Sequence, residues 1–265
     1  MPNAAIDGLN FYYERAGAGP RLLFISGSGG DLRNQPNVFA SPLAKAFDLV
    51  AYDQRGLGRT DKADIPYSMA QYGDDAAGLM DHLGWDDALV MGVSFGGMVA
   101  QELVLRHPGR VTKAVLACTS PGGAGGASYP FHEIEHLKGE DRARHMMPIS
   151  DTRRDAVWAA AHPEDYERFV QLAATDPFAG EPGRDAGAHR QFEARAGHDT
   201  WDRLPEITCP VLIAAGRYDG IALPETQDRM AARIPGAELQ WFEGGHLFMI
   251  QDRSAYPAVI SFLNR

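Results

Sequence analysis

Two cysteines, Cys118 and Cys209, are all that the 265 residues contain. So sparse a set excludes a disulfide-stapled framework, and without an N-x-S/T sequon the sequence carries no mark of an oxidising compartment. Each cysteine lies at the edge of an apolar run, V-L-A-C or C-P-V-L-I, so both are expected as buried free thiols. No apolar run reaches the ~20 residues that span a bilayer. The opening M-P-N-A-A-I-D-G lacks the basic and apolar regions of a signal peptide, and the expectation is a cytoplasmic protein. Positive charge is also short: 25 Lys and Arg stand against 35 Asp and Glu, a formal net charge of −10. Such a surface repels phosphate backbones and anionic lipid, which argues against nucleic acid and membranes as partners; the aromatic-rich stretch 120–203 is expected instead to form a mostly apolar pocket for a small-molecule substrate. The sequence is silent on oligomeric state.

What is present is an alternation. Short apolar runs at Leu22–Ser26, Leu49–Asp53, Ala88–Val93, Val111–Cys118, Val211–Ala215 and Ala237–Phe242 read as buried strands. Between them, Met69–Leu83, Phe95–His107, Pro224–Arg233 and Ser254–Leu263 read as helices, bounded by Pro108-Gly109 and opened by Pro224. This rhythm predicts an α/β fold, a mostly parallel sheet with helices on both faces. Asn10–Glu14 is expected to add an antiparallel edge. The rhythm stops between Ser120 and Leu204, where a P-G-G-A-G-G-A-S run leads into helical patterning rich in aromatics. The predicted organisation is a core of residues 1–119 and 204–265, with a helical cap of residues 120–203 inserted in it.

The chemistry centres on Gly92-Val93-Ser94-Phe95-Gly96-Gly97, where a strand hands over to a helix. So sharp a turn strains the backbone of Ser94 and leaves no room for side chains two residues either side, which glycines at 92 and 96 satisfy. A hydroxyl needs a base. His246, in F-E-G-G-H-L-F, follows the last strand at the sheet edge where open α/β folds bind ligands. Asp219, in A-A-G-R-Y-D-G, follows the strand Val211–Ala215 at the same edge and is the acid expected to fix the imidazole. Asp53 and Asp61 precede the serine and are expected to fix a turn. The glycine-rich Ser26-Gly27-Ser28-Gly29-Gly30 follows the first strand of the series. With the turn at Ser94 (the elbow) it offers two N–H donors for an oxyanion hole, those of Phe95 and Ser28.

These residues resemble the α/β-hydrolase superfamily from Phe11 to Leu263. The resemblance extends to D-Q-R-G-L-G-R-T at Asp53–Thr60, H-P-G-R-V at His107–Val111, Cys209–Asp219 and Gly244–His246. It implies an α/β-hydrolase fold, the triad order Ser94, Asp219, His246, and no cofactor. Many relatives carry His-Gly where this chain has Ser26-Gly27, and S-G-S-G-G-D-L is similar to the corresponding loop of 3-oxoadipate enol-lactonases. A serine at position 94 argues against the aspartate-nucleophile dehalogenases and epoxide hydrolases of this fold.

The expected activity is hydrolysis of a small carboxylic ester or lactone, followed by C–C bond hydrolysis and cofactor-free perhydrolysis with the same residues. A non-catalytic receptor that keeps only the pocket is the rival from another class. A zinc protease is another, because His132-Glu133-Ile134-Glu135-His136 matches H-E-x-x-H. Arg142 stands where the longer form of that motif needs a third histidine, so a solvated helix face is the expectation there.

Overall fold

The computed structural model describes residues 2–265. The chain opens with β1 (Asn3–Ile6), β2 (Leu9–Ala16), β3 (Arg21–Ile25), α1 (Leu43–Ala46) and β4 (Asp48–Tyr52). It continues through α2 (Met69–His82), β5 (Ala88–Val93), α3 (Phe95–Arg106) and β6 (Val111–Ala117). Four helices follow without a strand: α4 (Gly139–Ser150), α5 (Ala156–Ala161), α6 (Pro163–Ala174) and α7 (Arg184–Ala196). Then come β7 (Val211–Gly216), α8 (Pro224–Arg233), β8 (Glu238–Phe242), α9 (Phe248–Gln251) and α10 (Ala255–Asn264).

All eight strands form one sheet in the order β1-β2-β4-β3-β5-β6-β7-β8. From β4 to β8 the pairing is parallel, while β1 and β2 run antiparallel. The expected edge Asn10–Glu14 is therefore second from the edge; β1, a short strand without a clear apolar run, lies outside it. Neighbouring strand residues point to opposite faces and build two cores. Leu23, Val50 and Val90 meet Tyr72, Phe95 and Leu103 from α2 and α3. Leu22, Leu49 and Met91 meet Leu43, Val259 and Phe262 from α1 and α10. A strand buried on both faces has no polar side to show, which is why these strands are continuously apolar.

Helix ends follow local chemistry. Ser68 and Gln71 form a reciprocal capping box at the start of α2. At the end of α3 the chain turns through Gly109, whose φ of +86° suits glycine. The helices between β6 and β7 hold a small core of their own, Ala143, Met147 and Val170. They are tied to the rest of the chain by Arg33, which bridges Asp31 and Glu181. The segment carrying His132, Glu133 and His136 forms a short 3-10 turn at Phe131–Ile134, not an α-helix. Its histidines therefore do not share a helical face, and Glu135 bonds His189 instead. Among the described residues no helix is long and apolar enough to cross a membrane.

Candidate active site

Ser94 sits between β5 and α3 with φ 55° and ψ −115°, a left-handed conformation that few side chains adopt. The surrounding sequence makes it possible. A methyl group on Gly96 would run into the Ile25 carbonyl, and one on Gly92 into the Gly96 carbonyl. The Ser94 N–H donates to the Ala117 carbonyl at 2.8 Å, fastening the turn to the end of β6.

His246 stands in the turn after β8. Its main-chain N–H donates to the Ser150 carbonyl at 2.7 Å, and the Gly245 N–H donates to Gln251 at 2.8 Å. Its Nε2 lies 2.9 Å from Ser94 Oγ and its Nδ1 lies 2.8 Å from Asp219 Oδ2. The other Asp219 oxygen accepts the N–H groups of Ile221 and Ala222, at 2.8 and 3.0 Å. A carboxylate only accepts, so Nδ1 carries the imidazole proton and Nε2 turns its lone pair to the serine hydroxyl. The ends of β5, β7 and β8 thus bring together three side chains spread over 152 positions.

Cys118 directly follows β6 between them, at φ 41°. Its sulfur, the Asp219 carboxylate and the His246 ring all lie within 4.8 Å of one another. Burial, with Asp219 nearby, pushes this thiol well above the usual range. Both cysteines are free, but Cys209 is only half-buried, unlike the expectation for it.

Gly27 lies against the serine: a Cβ there would be 3.5 Å from that of Ser94. Among the described residues the Phe95 and Ser28 N–H groups have no hydrogen-bond partner. The loop bearing Ser28 is pinned around them. Gln54 Nε2 donates to the Ser26 carbonyl at 2.8 Å, and the Gly29 N–H donates to Gln191 Oε1 at 2.8 Å. Asp53 accepts the N–H groups of Leu32 and Arg59 and so fixes the turn after β4, whereas Asp61 accepts that of Asn10 and ties this segment to β2 instead of fixing a turn. Burial pushes Asp53 up to about 6. Gln54 and Gln191 were not legible as site residues. Gln54 lies inside the quoted D-Q-R-G-L-G-R-T run with no role attached, and Gln191 on α7 gives no sequence signal.

A pocket of about 80 Å³ opens beside the elbow. It is lined by Met98 of α3, Ser120, the 127–132 segment, and Phe192, Arg195 and His198 in and after α7. The Met98 N–H is bonded to the Ser94 carbonyl, which puts this wall one helical turn from the serine.

The family model of the alpha/beta hydrolase fold matches residues 20–252. The chain belongs to that family, and it is a hydrolase. It is 31% identical to "Putative carbamate hydrolase RutD" of Caulobacter vibrioides, across 99% of this chain and 98% of that one. It is 26% identical to 3-oxoadipate enol-lactonase 2 of Acinetobacter baylyi, across 89% of this chain and 85% of the relative. The crystal structure of the enol-lactonase from Burkholderia xenovorans LB400 superposes with a TM-score of 0.80 at 25% identity, covering both chains fully.

Proposed function

We propose that the protein hydrolyses a small carboxylic ester or lactone through an acyl-enzyme formed on Ser94. The observation that carries this reading is the 2.9 Å approach of His246 Nε2 to Ser94 Oγ. As the hydroxyl attacks the carbonyl carbon, its proton passes to Nε2, and the imidazolium is steadied by Asp219 on the other ring nitrogen. The carbonyl oxygen, now negative, takes the bare N–H groups of Phe95 and Ser28. His246 then gives its proton to the departing alkoxide. Water, deprotonated by the same imidazole, attacks the acyl carbon and frees Ser94.

The helices of residues 120–203 act as a cap over this centre, and the pocket between them and the elbow receives the substrate. The enol-lactonase relatives support a lactone, and the carbamate hydrolase relative extends the reading to carbamates, whose carbonyl meets the same attack. C–C bond hydrolysis and perhydrolysis remain the alternatives that share this machinery. A panel of p-nitrophenyl esters of graded chain length, an enol-lactone and a vinylogous diketone tests the reading. Turnover of an ester or lactone is expected, and Ser94→Ala should lower kcat by about 10⁴–10⁶. Failure on all of them, or turnover that survives Ser94→Ala, overturns it.

A further inference from the structure

The cavity beside the elbow contains a cation with no counter-charge. Arg195, in the last turn of α7, is 6% exposed, and no carboxylate lies within ion-pairing distance of it among the described residues. One amino group, Nη2, donates to Ser128 Oγ, and the Phe131 ring covers the guanidinium 4.2 Å away. Its Nε and Nη1 are buried and bonded to nothing. The neighbourhood shares the deficit. Among the described residues the Ser120 hydroxyl oxygen, which also lines this pocket, has no partner either.

Unpaired buried charge is costly, so a guanidinium kept in this state points to a missing partner. Arg142, over the stacked Phe131 and Phe192 rings, adds a second positive charge on the same side. Burial and Arg142 together push Arg195 down to about 9, which still leaves it charged at neutral pH. Arg195 shares its pocket with Met98, whose N–H is bonded to the Ser94 carbonyl, so the cation lies on the serine's side of the cap. The bare groups are mostly donors: a guanidinium only donates, and a hydroxyl offers one hydrogen. A donor fork with one net charge suits a planar monoanion.

We propose that Arg195 is a specificity-determining anchor for a carboxylate on the substrate, so that the enzyme selects short esters or lactones bearing a free carboxylate. The acid takes the bare Nε and Nη1 from the pocket that Arg195 lines. No bond is made or broken there; the anchor places the scissile carbonyl before Ser94. The substrate class rests on the hydrolase reading above, whereas the anion site does not.

The test compares mono-(p-nitrophenyl) glutarate with p-nitrophenyl pentanoate, an uncharged ester of equal chain length. Wild type should favour the glutarate ester in kcat/KM, and Arg195→Met should lower that preference by about 100-fold, the usual scale for removing a buried charged contact. Glutarate should raise the Tm of wild type and leave Arg195→Met unmoved, with inorganic phosphate as the control for a general anion site. Removing an uncompensated cation should leave the Tm of the unliganded variant equal or higher. The anchor is refuted by equal preference in wild type and variant, or by a glutarate shift that survives the substitution. A variant that unfolds and loses both substrates alike also refutes it, since Arg195 would then be structural. Glutarate binding that needs Arg195 in a protein cleaving no ester upholds the site and sinks the hydrolase reading. Ser94-dependent cleavage indifferent to Arg195 does the reverse.

Discussion

Gln191 Oε1 accepts the Gly29 N–H at 2.8 Å, joining α7 to the glycine-rich loop across 162 positions of sequence. Gln191 is wholly buried, and Gly29 is next to Ser28, whose own N–H stays free. The helices of residues 120–203 thereby help to hold the N–H proposed above as an oxyanion donor.

Gln191→Ala should therefore lower kcat by about tenfold with a smaller change in KM, because a loosened oxyanion donor acts mainly on the transition state. The loss should be similar for charged and neutral esters, unlike that of Arg195→Met. Steady-state kinetics on the matched ester pair checks both points.

The elbow's glycines should differ sharply from those in open turns. Gly96→Ala pushes a methyl group into the Ile25 carbonyl, main chain that cannot yield, and should cost about 3 kcal/mol or more. Gly109→Ala has no atom within 4 Å and only its φ of +86° to strain, so about 1 kcal/mol is expected. Urea unfolding of the two variants gives the contrast directly.

His198 should shape the acid side of the stability curve. Burial pushes it down to about 4; Arg203 and Arg195 add to that shift, while Asp199 and a contact with the Ser120 main chain oppose it. An unfolded histidine titrates near 6.5. Between roughly pH 6.5 and 4 the unfolded chain holds a proton that the folded one refuses, so stability is complete above this window and falls as pH drops through it. His198→Gln should recover about 2 kcal/mol of the wild-type loss between pH 7 and pH 5. Parallel pH profiles for the two proteins would contradict this.

Cys118 should resist alkylation in the folded protein, since it is 1% exposed and its thiol is held neutral. Maleimide counting by mass should find both thiols only after denaturation.

The parallel strands were legible because burial on both faces leaves an unbroken apolar run, as in Leu22–Ile25 or Val211–Ala215. Asn3–Ile6 was not, because its alternating exposure spreads two buried residues over four positions. Ser94, Asp219 and His246 announced themselves through turn chemistry at strand ends. Gln191 and Arg195 did not. Polar residues on an amphipathic helix read as a solvated face, and only the packing of that helix against the glycine-rich loop and the pocket turns them inward. The H-E-x-x-H match failed for a related reason: the spacing has meaning on an α-helix, and Phe131–Ile134 is a 3-10 turn.

Labelling with a fluorophosphonate, followed by peptide mapping, asks most directly whether the serine hydroxyl is made nucleophilic by the imidazole beside it. A single adduct on Ser94, abolished by His246→Ala, is the result predicted. An adduct on another residue, or none from a preparation that turns over esters, would contradict it.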